Sequence, residues 1–365
     1  MTMTKEITDK MSGGLFIVLY DEKTLSLYLK YGIYGFLMPP IMASNPSPHS
    51  RHYCVLADYA CSRQGTHIFF FLKRKIVYGG LVKGNSRAAS FYLNGKTSPL
   101  GRIANAELFW DESHRYEATD KAGIFKVRGK NRAQPFILQF EKSNDITGKQ
   151  ISSDDLYFEL GKYPYPLPSN TIQGMGFCTL TPGESSIAIR LLSESAKKFD
   201  MSSDETMIIG QNQQIFSADY LPDDKKYQNE AHLEFSLLAD IESSKHLFPK
   251  DDYILCRQVP ISPFKPANMD RADVCLYGLA NRLGEGTIPN IIIELKRDRA
   301  NFNAYNQVVR YLKWLEKITD IDSFKKIQAY IIAPSFYINK NKINTVYLEK
   351  IKLYSIEAGG FYHLG

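Results

Sequence analysis

Apolar residues follow two different rhythms along this chain. In the first part they come in short runs closed by Gly and Ser, the pattern of strands. Strands are predicted over 15–20, 52–57, 66–73, 75–82, 90–93, 124–127 and 136–140. Gly65, Gly79, Gly80, Gly84 and Gly95 mark turns, and short strands at this spacing predict a small barrel or a strongly bent sheet. Asp21 begins a short helix over 21–30, and residues 43–50, rich in Pro and Ser, form a loop. Residues 152–160 and the Pro-rich 163–168 close the region, and 182–199 reads as helical.

The rhythm changes after residue 226. A helix is predicted over 227–242, strands over 253–259, 271–277 and 290–296, a helix over 300–318, and a strand over 327–333 ended by Pro334. Strands alternating with helices assemble most simply as a mixed sheet flanked by helices. Residues 200–226 are polar and acidic around Met207-Ile208-Ile209, as a linker would be. The expected organisation is a tail over 1–14, a β-rich domain over 15–199, a linker over 200–226 and a second domain over 227–365. The chain's 365 residues exceed what one core usually holds, which agrees with two domains. The expected class is α+β and α/β, with a barrel-like N-terminal domain and a C-terminal mixed sheet.

Composition narrows this little. A hydrophobic fraction of 44% with 23% charged residues argues against disorder. The formal charge of +6 is compatible with nucleic acid without pointing to it. The five cysteines are odd in number and contain no Cys-x-x-Cys pair, which argues against a zinc site or disulfide framework and for a reducing cytoplasm. The polar N-terminus lacks a signal-type apolar stretch, and no apolar run reaches 18 residues, so no membrane span is expected. Gly-x-x-x-x-Gly-Lys-Ser/Thr, Gly-x-Ser-x-Gly and His-Glu-x-x-His are all absent, against ATP-driven translocation, serine hydrolysis and zinc-protease chemistry.

The chemistry concentrates after the apolar run Asn290-Ile291-Ile292-Ile293, at Glu294-Leu295-Lys296. Strand alternation places Glu294 and Lys296 on one face, and Ile291, Ile293 and Leu295 on the other. Asp273 sits in the apolar strand Arg271-Ala272-Asp273-Val274-Cys275-Leu276-Tyr277. Two carboxylates can share a hard cation such as Mg²⁺, with Mn²⁺ able to substitute. A lysine beside them can position water or stabilise charge on a phosphate, which suits metal-assisted cleavage of a phosphodiester. The following helix carries Gln307 and Tyr311 at i and i+4, where Gln307 could orient Lys296 or the attacking water. Val308, Leu312 and Leu315 make a core role for Tyr311 equally natural. The earlier helix offers Glu230, with Glu234 as a rival, and His232 reads as structural. A charged strand end and a solvated helix face are the plain alternatives for these groups.

In order, these elements are a helix with Glu230, Leu233 and Leu237, a strand with Arg271 and Asp273, a strand with Glu294 and Lys296, and a helix with Gln307 and Tyr311. This set resembles the PD-(D/E)xK nuclease superfamily, and most closely its RecB-like and NucS-like branches. In those branches the first helix often reads Glu-x-x-Leu-x-x-x-Leu and the strands Arg-x-Asp and Glu-x-Lys. The resemblance covers about residues 226–335. No Pro directly precedes Asp273, a departure from many members. It implies a restriction-endonuclease-like fold. Asp273, Glu294, Lys296, Gln307 and Glu230 are the candidate catalytic residues, and Asp273 and Glu294 the candidate metal ligands. Arg271, Arg297, Arg299 and Tyr311 are the candidate nucleic-acid contacts.

The stretch 64–84, an aromatic strand, a basic turn and a strand into Gly79-Gly80, resembles the central hairpin of PUA-like barrels of the EVE and YTH group. Ile151 to Leu156 and Gly176-Phe177 extend that likeness. It implies a pocket for a modified or flipped base, with Phe109, Trp110 and Tyr116 as cage residues. Core packing of Phe69, Phe70 and Phe71 is the other reading. Together these features predict a Mg²⁺-dependent DNA endonuclease whose N-terminal domain selects the target, in restriction or antiphage defence. The alternatives are a repair nuclease acting on mismatched or branched DNA, and a non-catalytic nucleic-acid-binding protein. Double-strand cutting with one site per chain would favour a homo-oligomer, a dimer or higher.

Overall fold

The computed structural model describes residues 13–36, 50–84, 92–93, 116–118, 125–127, 130–132, 136–167, 177–200, 227–239, 247, 253–265, 268–278, 287–337, 345–357 and 360–363. The N-terminal half contains β1 (Gly14–Val18), α1 (Glu22–Tyr31), β2 (Ile33–Gly35), α2 (Ser50–Cys61), β3 (His67–Leu72) and β4 (Lys75–Val82). These are followed by β5 (Tyr92–Leu93), β6 (Tyr116–Ala118), β7 (Phe125–Val127), β8 (Lys130–Arg132), β9 (Phe136–Glu141) and β10 (Gln150–Ser152), then α3 (Ser153–Leu160), β11 (Phe177–Leu180) and α4 (Pro182–Glu194).

The main N-terminal sheet runs β11-β1-β3-β4-β9-β2, with β10 also on β4 and β5 on β9. β1 and β3 are parallel, and the chain between them crosses over through α1 and α2. The β3–β4 hairpin turns on Lys73 and Arg74, both left-handed at φ 49 and 63, the twist that a two-residue turn needs. Asp21 caps α1 by accepting from the Thr24 N–H at 2.7 Å, and Gly32 ends it at φ 64.

The strand expected over 52–57 is instead part of α2. Its buried residues Tyr53, Leu56, Ala57 and Ala60 fall at i, i+3, i+4 and i+7, a helical stripe within a β-prone composition. Residues 153–160, for which no helix was predicted, form α3, capped by the Ser152 hydroxyl. Phe69 and Phe70 are fully buried and Phe71 partly so, which gives them to the core. The expected cage residues Phe109 and Trp110, and the side chain of Tyr116, lie outside the described residues.

The C-terminal half contains α5 (Glu230–Ala239), β12 (Tyr253–Lys265), β13 (Asn268–Gly278), β14 (Ile291–Leu295), β15 (Arg299–Asn301), α6 (Phe302–Ile318) and α7 (Ile321–Lys326). They are followed by β16 (Gln328–Ala333), β17 (Ser335–Tyr337), a 3₁₀ turn at Thr345–Lys350, β18 (Ile351–Glu357) and β19 (Gly360–His363). The sheet order is β12-β13-β14-β16-β18-β19. β12, β13 and β14 are antiparallel, while β14, β16 and β18 are parallel. The β14-to-β16 crossover is α6, whose Val308, Tyr311, Leu312 and Leu315 cover one face of the sheet with Ile292. Ile291, Ile293 and Leu295 point to the other face, against Leu233, Leu237 and Leu238 of α5. The whole is a mixed α+β architecture.

The apolar contact crosses the expected domain boundary. One buried cluster joins Leu56 and Ala60 of α2, Phe70 of β3, Leu237 of α5 and Val274 of β13. Tyr165 is buried in the C-terminal core, its hydroxyl 2.5 Å from that of Tyr277. Residues 201–226, nearly all of the expected linker, lie outside the described residues. Among the described residues, no helix is long and apolar enough to cross a membrane.

Candidate active site

β13 and β14 pair from Leu276/Ile291 to Val274/Ile293 and then part. Asp273 and Glu294 stand where the ladder ends. The Leu295 N–H goes to Oδ2 of Asp273 at 2.7 Å, so a side chain takes up a strand donor next to the opening. Glu294 is 1% exposed. Lys296, two residues on and facing the same way, donates from Nζ to Oε1 of Glu294 at 2.7 Å and reaches Oε1 of Glu230 at 3.5 Å. The strand period therefore builds the pair, and the N-terminus of α5 supplies the third carboxylate.

α6 closes the inner side. The Tyr311 hydroxyl lies 2.9 Å from Oε2 of Glu294 and 2.7 Å from the carbonyl of Arg271. Gln307 donates to that hydroxyl at 2.6 Å. Gln307 thus orients Tyr311, where the sequence pointed to Lys296 or the water. Tyr311 was expected to touch nucleic acid. Its ring is fully buried, so its contact is with Glu294.

Electrostatics follow from burial. Desolvation, with Glu234 nearby, pushes Asp273 up to about 7, against the opposing Leu295 N–H and Lys296. Desolvation and the Asp273 charge push Glu294 up to about 8. Burial pulls the Lys296 ammonium down, but Glu294, Asp273 and Glu230 outweigh it and hold the lysine charged, above its ordinary range. Burial and mutual repulsion oppose ionising the two carboxylates together, and the Lys296 ammonium, on Glu294, favours the charged form of both.

That donor set fits a hard divalent cation. Each oxygen of Asp273 and Glu294 accepts one protein hydrogen bond and keeps a second lone pair. Among the described residues, no three or more His, Cys, Asp or Glu side chains form a metal cage. Two carboxylates completed by water suit Mg²⁺, which keeps several of its waters.

An open cleft of about 490 Å³ leads to Lys296. Glu230, Arg297, Asp298 and Arg299 line its mouth. Arg297 is clamped by Asp298 at 2.6 Å and donates to the Gln228 carbonyl. Arg299 stacks its guanidinium on Tyr337, 4.6 Å from the ring centre. Both arginines are exposed beside the site. Arg271 lies elsewhere, on the wall of an apolar cavity of about 270 Å³ between the two halves. Glu234 is spent on Arg257, and His232 stacks on Tyr53 at 3.8 Å.

No protein-family model matches the chain, and no curated protein matches it. Among solved structures, it is similar to a repair endonuclease from Pyrococcus abyssi, at 12% identity and a TM-score of 0.23, over 78% of this chain and 77% of that one. It is also similar to an EndoMS protein in a complex with double-stranded DNA, at 11% identity and a TM-score of 0.22, over 90% of this chain and 99% of that one. TM-scores this far below 0.5 do not define a shared fold.

Two residues at the site carried no sequence signal. Gln258 donates from Nε2 to Oδ1 of Asp273 at 3.0 Å. Arg257, next to it, holds both Glu234 and Asp58. A lone Gln and a lone Arg in a strand announce nothing until their partners are known.

Proposed function

We propose that this chain is a metal-dependent nuclease that hydrolyses phosphodiester bonds in DNA. The observation that supports it most is the convergence of Asp273 and Glu294 at the parting of β13 and β14, with Lys296 held charged 2.7 Å from Glu294. Asp273 and Glu294 would hold Mg²⁺, which when bound supplies an activated water and offsets charge on the phosphate. Lys296 sits on the solvent side of Glu294, where its ammonium can orient water and stabilise the developing oxyanion. Tyr311 and Leu295 fix the carboxylates before substrate arrives, so that reorganisation costs little. Arg297 and Arg299, at the mouth of the cleft, are placed to meet the backbone.

The cellular role we propose is restriction or antiphage defence, with target choice by the N-terminal half. The test is incubation of full-length protein with plasmid, modified plasmid, mismatched duplex and single strands, in Mg²⁺ or Mn²⁺ and then in EDTA. Metal-dependent cleavage lost in Asp273→Ala and Glu294→Ala supports the nuclease. Wild-type cleavage by either folded variant overturns it. A strong preference for mismatched or branched duplex would replace defence with repair.

A further inference from the structure

Gln258 breaks the pattern of its strand. Among the described residues, it is the sole non-glycine at positive φ outside the Lys73–Arg74 turn, with φ 53 in the middle of β12. That region costs a residue with a Cβ about 1 kcal/mol or more and persists only where surrounding contacts over-determine it. The pairs Arg257↔Val274 and Val259↔Ala272 bracket Gln258 and set it across from Asp273. Its amide donates to Oδ1 of Asp273 at 3.0 Å.

Its neighbours account for the constraint. Arg257 binds Glu234 through two nitrogens at 2.9 and 2.6 Å, and Asp58 of α2 at 2.9 Å. All three side chains are buried. The cluster holds one positive and two negative charges, and Asp273 close by takes its donor from the neutral amide of Gln258. A primary amide supplies that donor as a neutral N–H. A glutamate there would add a third anion, leucine would leave Oδ1 of Asp273 without this donor, and asparagine lacks one methylene of reach.

With Leu295 N–H on Oδ2 and Gln258 on Oδ1, both oxygens of Asp273 are anchored, which fixes the plane of the carboxylate. We propose that Gln258 is a positioning residue for Asp273, holding its carboxylate in the orientation that receives a divalent cation. This rests on the nuclease reading for its purpose, but it can be judged on metal binding alone. Anchors of this kind typically change metal affinity or activity by about 10–100-fold when removed.

The experiment is calorimetric titration of Mn²⁺ into full-length protein without DNA, beside kcat and KM on plasmid. Wild type, Asp273→Ala, Gln258→Leu and Gln258→Gly are compared. The expected result is Mn²⁺ binding that Asp273→Ala abolishes and that Gln258→Leu weakens by about tenfold or more. In that variant kcat falls, KM for DNA changes little, and added Mn²⁺ restores much of the rate. Gln258→Gly removes the amide while freeing the backbone of strain, and is read wherever the leucine variant does not fold. It should bind Mn²⁺ as poorly while melting close to wild type. Unchanged Mn²⁺ affinity in a folded Gln258 variant overturns the proposal, as does wild-type protein with no Asp273-dependent Mn²⁺ binding. If wild type binds Mn²⁺ through Asp273 and cuts no DNA, the nuclease reading fails while the positioning role is still decided by the titration.

Discussion

The Tyr311 hydroxyl is shared between Oε2 of Glu294 and the carbonyl of Arg271, at 2.9 and 2.7 Å. It has one proton for two acceptors, and Gln307 occupies one of its lone pairs. It therefore ties the helix that crosses over from β14 to both strands that carry the carboxylates. Tyr311→Phe keeps the ring in the core and deletes only this tie. The variant should stay folded and lose about 10–100-fold in kcat, with less change in KM. Steady-state kinetics beside a thermal melt check it, and an unchanged kcat would reduce Tyr311 to packing.

Glu294→Gln should separate stability from activity. Burial opposes the charge that the proposed chemistry needs, so the wild-type carboxylate is held at a cost to the fold. The amide is isosteric and neutral. Calorimetry in EDTA should give a Tm no lower than wild type, while cleavage in Mg²⁺ is lost. A clear drop in Tm would show that the Lys296 ion pair outweighs the desolvation.

Acid sensitivity should pass through His67. The ring is fully buried, with Nδ1 3.0 Å from the Tyr78 hydroxyl, and burial lowers its pKa to about 4. The unfolded chain protonates His near 6.5, so between about pH 6.5 and 4 the unfolded state binds the extra proton. Stability from keeping His67 neutral is present above that window and is lost as pH falls through it, by about 3 kcal/mol in full. The stability gap between wild type and His67→Gln should therefore narrow from pH 7.5 to pH 5 in urea titrations. A pH-independent gap would contradict the assignment.

A fragment over 227–365 should not behave as a free domain. It would bare Leu237 and Leu238 of α5, which pack in one cluster with α2, and would leave Glu234 and Arg257 without Asp58. Expression should give insoluble or molten material, read by sedimentation and near-UV circular dichroism. A soluble, cooperatively melting fragment would show that the C-terminal sheet folds alone.

The parts of the site that lie close in sequence were readable from it. Glu294 and Lys296 follow from strand alternation, and the α6 stripe from its helical period. The α2 segment misled because Tyr53 and Val55 are strand-prone, while the burial of Tyr53, Leu56, Ala57 and Ala60 follows a helical period. Gln258 and Arg257 were invisible for another reason. Arg257 meets Glu234 and Asp58 across sequence separations of 23 and 199 residues. The left-handed φ at Gln258 accompanies its contact with Asp273, 15 residues on, and nothing in a glutamine's own preferences announces it. Tyr311 lay between the two cases, since its position on the helix was plain and the acceptor for its hydroxyl was not.

Arg257 has a consequence for how such a chain could change over time. Its guanidinium answers at once to Asp58 in the first half and to Glu234 in the second, and its neighbour grips Asp273. A new N-terminal half grafted on from elsewhere would arrive without an acid at that place, and the loss would be felt one residue away, at the carboxylate. Modular exchange, the common route by which enzymes acquire new targets, is closed to this architecture. New target preferences would have to arise by substitution on the outer surface, with the seam between the halves inherited intact.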